Sequence, residues 1–245
     1  MAIVAVVFGL AGLAVSLWGV ATQVLPRQFT EHQQQQILDW EIGKHWRVLS
    51  AGSIFPAAVR YKAPSVLGGK ALMLTARRIG IARQASCPAA TDPAVAAVLA
   101  RYGCQAVLRA TYADVTDTYA VTVGVAVFSA SAQASAAQQA VSGISAANAG
   151  QAGPGAPGVL TVPFGGTPAA WFTDGRRQLS ASFSAGDYVV FYAAGYTGKR
   201  PLLPVAADGY ADAEMTSVGV GVAQAVLTQI DAPVRQPACP GTPGC

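Results

Sequence analysis

AVLRATYADVTDTYAVTVGVAV, residues 106–127, contains two runs of alternating side chains separated by a short polar segment. In the first run, every second residue from Ala106 to Tyr112 lies on one side. In the second, the same holds from Tyr119 to Val127. A period of two is typical of β-strands, and the polar segment 114–117 has the composition of a turn. The stretch therefore predicts an antiparallel β-hairpin.

The sequence on either side of this hairpin predicts an α+β fold. Residues 71–82 read as an extended strand, and Thr91-Asp92-Pro93 is typical of a helix start, with Gly103 as its stop. The Ala-rich segment 129–147 favours a second helix, and Val159–Phe164 reads as a strand. The resulting order is strand, helix, strand, strand, helix, strand. That is the order of a ferredoxin-like (split βαβ) sandwich.

Further elements are predicted outside this unit. A short strand is expected at 55–61, and a second hairpin at 178–183 and 188–196 around a turn at Ser184–Asp187. A final helix is expected at 212–230. Residues 236–245 form a Pro/Gly/Cys-rich tail, and residues 148–158 have the composition of a flexible linker. The α+β domain is thus predicted to span residues 48–235.

The N-terminal run from Ala2 to Leu25 carries no charged side chain. As a helix it would be about 36 Å long, enough to cross a hydrocarbon core of about 30 Å. We therefore expect residues 1–26 to be an uncleaved transmembrane anchor. The alternative is a secretory signal cleaved near Gly19-Val20-Ala21, but the run is long for a signal and nothing basic precedes it.

Small residues recur along one face of this predicted anchor. Close packing of two membrane helices is one interpretation of such a stripe, because small side chains let helix backbones approach. The other interpretation is that Gly and Ala are simply common in this composition. The stripe consists of Ala5, Gly9, Gly12, Ser16 and Gly19.

Residues 27–47 are polar and Gln-rich, and are expected to form a helical stalk ending around Gly43. Ile37 and Trp40 fall at helical spacing, so the apolar edge of the stalk either pairs with a second copy or lies on the domain. The two histidines of the chain, His32 and His45, both lie in this segment. We expect them to be solvated, which makes a catalytic triad or a zinc site hard to build.

The four cysteines follow the anchor in two close pairs, Cys87 with Cys104 and Cys239 with Cys245. An even number of closely spaced cysteines is typical of proteins that form disulfides in an oxidising compartment. A bridge between the first pair would tie the two ends of the predicted helix together and contribute about 3 kcal/mol. The second pair either closes a small loop in the tail or bonds to a partner.

Two signals disagree about which side of the membrane the domain occupies. Basic residues flank the anchor only on its C-terminal side, at Arg27, Lys44 and Arg47. The positive-inside rule would therefore place the domain in the cytoplasm. The cysteines favour the opposite side, and we expect an extracytoplasmic domain because Arg27 is the only charge close to the anchor.

Composition excludes some classes of function. Only 11% of the residues are charged and the net charge is +4. The Arg residues are scattered, apart from Arg77, Arg78 and Arg83, which are expected to form a solvated strand edge. Nucleic-acid binding needs a denser basic face, so no nucleic-acid partner is predicted. The Arg-rich, Lys-poor composition indicates a bacterial source.

No cofactor, metal or catalytic motif is found in the sequence. Asp114 and Asp117 share a turn, where Asp commonly accepts backbone amide hydrogen bonds. A second acidic group precedes the last helix, where carboxylates suit the positive end of the dipole. That group is Asp208, Asp212 and Glu214. We interpret both groups as structural, and the protein as a non-enzyme.

One exposed-looking patch combines aromatic and basic residues, as interface anchors do. It consists of Trp171, Phe172, Arg176 and Arg177. The alternative is a loop whose Trp tucks into the core. The anchor, the small-residue stripe, the cysteine pairs and the lack of catalytic motifs together favour a membrane-bound, non-catalytic component of an envelope or secretion-type assembly. It is expected to act through protein partners or self-association. A ligand-sensing or wall-binding module of unknown ligand is the first alternative, and a carboxylate-dependent envelope hydrolase the second.

Overall fold

The computed structural model describes residues 30–64, 71–147, 157–198 and 209–232 and shows a mixed α+β protein, as predicted. Among the described residues, those up to Leu38 belong to one unit and those from Asp39 onwards to a second. The helices are α1 (Glu31–Ile42), α2 (His45–Val48), α3 (Ala51–Ile54), α4 (Cys87–Ala90), α5 (Pro93–Arg101), α6 (Ser131–Ala147) and α7 (Gly209–Asp231). The strands are β1 (Ala58–Ala63), β2 (Leu72–Ile81), β3 (Ala106–Asp114), β4 (Tyr119–Val127), β5 (Leu179–Ala185) and β6 (Tyr188–Tyr196).

The six strands form one antiparallel sheet in the order β1-β2-β3-β4-β6-β5. The hairpin predicted from residues 106–127 is confirmed, with Ala106 paired to Val127 and Ala113 to Ala120. The second predicted hairpin is confirmed as β5 and β6. Both hairpins follow from a period-two pattern interrupted by turn residues. The strand predicted at 55–61 is present as β1, displaced towards Ala63.

The ferredoxin-like arrangement expected for residues 71–164 is not the one observed. A split βαβ sheet would place its third strand between its first and its second. Here β2 lies antiparallel beside β3, and β3 lies beside β4. The predicted strand at 159–164 is absent from the sheet, because only Val159 forms a bridge, to Thr91. The first five elements were therefore predicted in the correct order, but the last strand and the neighbours within the sheet were not.

Residues 159–164 instead cross one face of the sheet. The Thr111 hydroxyl donates a hydrogen bond to the Val162 carbonyl at 2.8 Å, and the Val162 amide donates to the Thr122 hydroxyl at 3.2 Å. A Cβ at Gly124 would lie 2.7 Å from Val159 Cγ2, so glycine is required for this close approach. Side-chain hydroxyls thus hold the segment where a sheet ladder was expected.

Helices cover both faces of the curled sheet. On one face α7 packs against β1, β4, β5 and β6, and its buried side chains include Val218, Val222 and Val226. On the other face α6 packs against β5 and β6, with Ala134 and Ala137 fully buried. The predicted final helix is confirmed, although α7 begins at Gly209 rather than at residue 212.

Several sequence predictions fall outside the described residues. These are the anchor at 1–26 with its small-residue stripe, most of the linker at 148–158, and the tail with Cys239 and Cys245. In the part of the chain that is described, no helix combines the length and the apolar character needed to span a bilayer. The stalk helix α1 ends at Ile42, close to the predicted end at Gly43, and a separate short helix follows it.

Candidate functional site

A cleft of about 430 Å³ opens where several distant segments meet. One wall consists of residues 39–47, which include the end of α1 and the start of α2. The opposite wall contains Gln105, just before β3, and residues 128–131, between β4 and α6. The turn between β5 and β6 contributes Asp187. We refer to this feature as the Trp40–Asp187 cleft.

Hydrogen bonds fix the two walls of the cleft to the central sheet. The Tyr188 hydroxyl donates to the Ile42 carbonyl at 2.6 Å, which ties the end of α1 to β6. The Phe128 amide donates to the Asp187 carbonyl at 2.9 Å, which ties the β4–α6 junction to the β5–β6 turn. Burial raises the pKa of Tyr188 to about 12, so its hydroxyl keeps its proton at neutral pH. The cleft is therefore a preformed part of the fold.

His45 lies in the same region, and the expectation that it would be solvated is wrong. Its side chain is completely buried. The Nδ1 atom lies 2.7 Å from the Ile230 carbonyl, and because a carbonyl only accepts, Nδ1–H is the donor. Nε2 has no hydrogen-bond partner among the described residues. Since Ile230 is 185 positions away, no local pattern in the sequence marked this contact.

Two indole rings in the cleft wall each carry a cation from a nearby residue. The Nζ atom of Lys44 lies 2.9 Å from the centroid of the Trp40 ring, and Arg47 Cζ lies 4.5 Å from that of Trp46. Cations are attracted to the faces of such rings. Trp40 is 66% exposed, whereas Trp46 packs against the main core. The i,i+4 spacing of Trp40 and Lys44 was a signal that the sequence interpretation did not use.

The carboxylate of Asp187 occupies an unfavourable position for a negative charge. Burial, and then the charge of Asp39, raise its pKa above the ordinary value. Among the described residues no hydrogen bond or ion pair reaches this carboxylate. A Cβ on Gly43 would overlap the Asp187 carboxylate, so glycine leaves the space that the carboxylate occupies.

The acids singled out in the sequence have structural partners. Asp114 is fully buried and its carboxylate accepts hydrogen bonds from the backbone amides of Thr116, Thr118 and Tyr119, as predicted for a turn. Asp117 forms an exposed ion pair of 2.6 Å with Arg77. The two carboxylates therefore face different partners and do not form a catalytic pair.

The acidic group before the last helix is described only in part. Glu214 accepts a hydrogen bond from the Tyr119 hydroxyl at 3.2 Å. Burial, followed by the charge of Glu214, raises the pKa of Tyr119, which keeps that hydroxyl a donor. Asp208 and the side chain of Asp212 lie outside the described part. Within the ranges that are described, no group of three or more His, Cys, Asp or Glu could hold a metal ion.

The predicted aromatic and basic patch is divided between surface and interior. Phe172 is fully buried, and the side chain of Arg177 is buried in an ion pair of 2.6 Å with Asp92. Trp171 is 51% exposed, and Arg176 donates to the Gly198 carbonyl at 2.7 Å. Of the four residues, Trp171 is exposed and Arg176 half-buried, whereas Phe172 and Arg177 lie in the interior.

The predicted bridge between Cys87 and Cys104 is confirmed. The sulfur atoms are bonded at 2.05 Å, and the Cα atoms are 6.4 Å apart. Cys87 begins α4 and Cys104 follows the end of α5, where Gly103 has a φ of +79°. The disulfide therefore joins the two ends of the helical segment, and Cys87 is buried against the same core cluster as α6.

Comparison of the chain with protein-family models, with curated proteins and with solved structures finds no match.

Proposed function

We propose that this protein is a single-pass membrane protein whose α+β domain lies outside the cytoplasm. It would serve as a non-catalytic component of a bacterial envelope or secretion-type assembly and act through protein contacts. The proposal combines the uncharged run from Ala2 to Leu25 with the chemistry of the domain that follows it.

The observation that carries the proposal is the disulfide between Cys87 and Cys104. Disulfides persist in oxidising compartments and are rare in the cytosol of mesophiles. An apolar run of membrane-spanning length at one end of the chain and a disulfide in the domain fit an anchored protein exposed to such a compartment.

The non-catalytic character is supported by the way the candidate acids are used. Asp114 is committed to backbone amides of its own turn, and Asp117 to an ion pair with Arg77. A carboxylate-dependent hydrolase needs two acids facing each other across the reacting bond. Carboxylates already bound in this way stabilise the fold and are not free for that chemistry.

The proposal is tested by protease accessibility in intact spheroplasts and in lysed ones, with a non-reducing gel alongside. We expect the domain to be digested in intact spheroplasts and to migrate as an oxidised species. A C87A/C104A double variant marks the position of the unbridged chain on the gel. A domain protected until lysis, with its thiols reduced, would overturn the proposal.

Self-association of the anchor is a separate part of the proposal. Replacing Gly9 and Gly12 by Leu should weaken crosslinking in the membrane if the small-residue stripe packs against a second copy. The matched control replaces Ala11 and Ala14, which lie off the stripe, by Leu. Equal crosslinking of both double variants and the unaltered chain would show that the stripe does not mediate self-association.

A ligand-sensing or wall-binding module is the second candidate function. The observation that favours it is the Trp40–Asp187 cleft, which combines aromatic rings with carboxylate, amide and hydroxyl groups, as small-molecule sites do. Direct binding measurements on the full chain separate this candidate from a purely structural component.

A further inference from the structure

Several negative groups lie at the end of the molecule that contains the cleft. Helix α1 ends there at Ile42, and His45, the first residue of α2, contacts the Ile230 carbonyl near the end of α7. Helix C-termini carry a partial negative charge. Three carboxylates add to it. Asp39 and Asp187 line the cleft, and Asp231 Oδ1 lies 3.3 Å from the position of a Cβ on Gly186, the neighbour of Asp187.

The positive groups of the cleft are already placed on aromatic rings. Lys44 lies over Trp40 and Arg47 over Trp46, and both basic residues are solvent-exposed. Neither forms an ion pair with Asp187 in the described structure. Both basic groups are exposed to water, whereas the Asp187 carboxylate is partly buried with no ion pair among the described residues.

We propose that the Trp40–Asp187 cleft binds an organic cation, a primary ammonium or guanidinium group carried on a short apolar stem. The cationic group would lie against the Asp187 carboxylate, with Asp39 contributing a second negative charge. An anionic group at this position would instead lie against the partly buried carboxylate of Asp187, which is unfavourable.

The size and lining of the cleft are the reason for proposing a ligand with an apolar stem beside its charged group. A volume of about 430 Å³ is larger than an ammonium group needs, so the ligand extends beyond its charge. Phe128 and Trp46 offer apolar surface, while Gln105, Ser129 and Ser131 offer polar groups to whatever flanks the stem. A lysine or arginine side chain with its peptide groups fits this description, and so does a free diamine.

This inference goes beyond the proposed function, because it concerns a site that neither the anchor nor the disulfide forms. A failure to bind cations would leave the membrane location untouched, and a cytoplasmic domain would leave cation binding untouched.

The test is isothermal titration of the full chain with two probes, Nα-acetyl-lysine amide and 1,5-diaminopentane. The neutral analogue Nα,Nε-diacetyl-lysine amide is the control ligand. Asp187→Asn removes the charge at nearly constant shape, and Asp117→Asn is the matched control at the opposite end of the sheet. We expect Asp187→Asn to lower affinity at least tenfold, about 1.4 kcal/mol, and Asp117→Asn to leave it unchanged.

Each outcome bears on the proposal. Tighter binding of the lysine probe identifies a basic side chain of a peptide as the ligand, and tighter binding of the diamine identifies a free amine. The proposal is overturned if neither cation binds at about 10 mM. It is equally overturned if the neutral analogue binds as well as the cations, or if Asp187→Asn, shown to be folded by its circular dichroism, keeps full affinity.

Discussion

The turns of the two β-hairpins lie at opposite ends of the sheet, and each contains an aspartate in a different condition. The register of β4 and β6 pairs Tyr119 with Tyr196 near one turn and Val127 with Tyr188 near the other. Asp114, at the first turn, is fully buried and accepts three backbone amide hydrogen bonds. Asp187, at the second, is partly exposed and has no such acceptor role in the described structure.

The difference between Asp114 and Asp187 shows that an aspartate in a hairpin turn can have two different roles. Hydrogen bonds to a carboxylate compensate for its burial, so Asp114 stabilises its turn. Without them, burial beside another negative charge makes the ionised form costly, as the raised pKa of Asp187 indicates. A cation bound beside Asp187 would remove this cost, in agreement with the binding that we propose from the geometry of the cleft.

The largest effect is expected from Asp114→Ala. This substitution leaves three backbone amides without their acceptor, and losses of that kind cost about 1–3 kcal/mol each when the groups stay buried. We expect the free energy of unfolding in urea to fall by about 3 kcal/mol or more. Asp114→Asn keeps one side-chain oxygen acceptor and should lose less. Equal losses for Ala and Asn would mean that the charge, and not the acceptor, stabilises the turn.

Asp187→Asn is expected to change stability in the opposite direction. Because the folded-state pKa of Asp187 is raised, its ionised form destabilises the fold at pH values above that pKa. The penalty disappears as the pH falls below the unfolded-state value. The variant should therefore be more stable than the unaltered chain at pH 7, by up to about 1 kcal/mol after solvent screening.

Thermal unfolding of Asp187→Asn and of the unaltered chain at several pH values tests whether the variant is the more stable of the two. The advantage of Asp187→Asn should shrink as the pH is lowered and vanish in acid. The charge of Asp39 acts on Asp187, Lys44 and Arg47 line the same cleft, and Asp231 lies beside Gly186. An advantage that persists unchanged in acid would assign the effect to packing.

Gly43→Ala adds a methyl group beside Asp187, in the second turn, and leaves the first turn with Asp114 unchanged. The added Cβ would meet the Asp187 carboxylate, which is the free end of a side chain and can rotate away. We expect affinity for the lysine probe to fall several-fold while the midpoint of urea unfolding changes little. Gly143→Ala, where a Cβ meets nothing within 4 Å, is the control. A large loss of stability in the first variant would show that the carboxylate is held rigidly.

The smallest effect is expected from Asp117→Asn, in the same turn as Asp114. Its ion pair with Arg77 is exposed, with 50% and 42% of the two side chains accessible to solvent. Exposed pairs contribute about 0–1 kcal/mol and are screened by salt. Urea unfolding at low and high salt should separate the variant from the unaltered chain only slightly, and less at high salt. A loss comparable with that of Asp114→Ala would contradict this assignment.

Local patterns predicted much of the fold. Both hairpins, α5 to α7 and the disulfide between Cys87 and Cys104 were expected, because strand alternation, helix stops and cysteine spacing are local signals. Which strands become neighbours in the sheet is not determined by local sequence patterns. Residues 159–164 read as a strand, yet hydroxyls on β3 and β4 hold them across the sheet, and only the pairing of distant segments decides this.

The candidate site could not be predicted in the same way. Its walls come from segments near residues 39–47, 105, 128–131 and 187, which the fold alone brings together. The end of α1 was read as part of a solvated stalk, whereas His45 beside it is buried against the end of α7. Asp187 was read only as a turn residue, since nothing in the sequence distinguishes its surroundings from those of Asp114.

The most direct test of the contrast between the turns is carbon-13 NMR titration of the Asp187 carboxyl group, with and without Nα-acetyl-lysine amide. We expect the free protein to show a pKa above the ordinary value of 3.8, and saturation with the probe to lower that pKa, because a bound cation favours the ionised form. A pKa at or below the ordinary value in the free protein, or one that does not respond to the probe, would contradict the account.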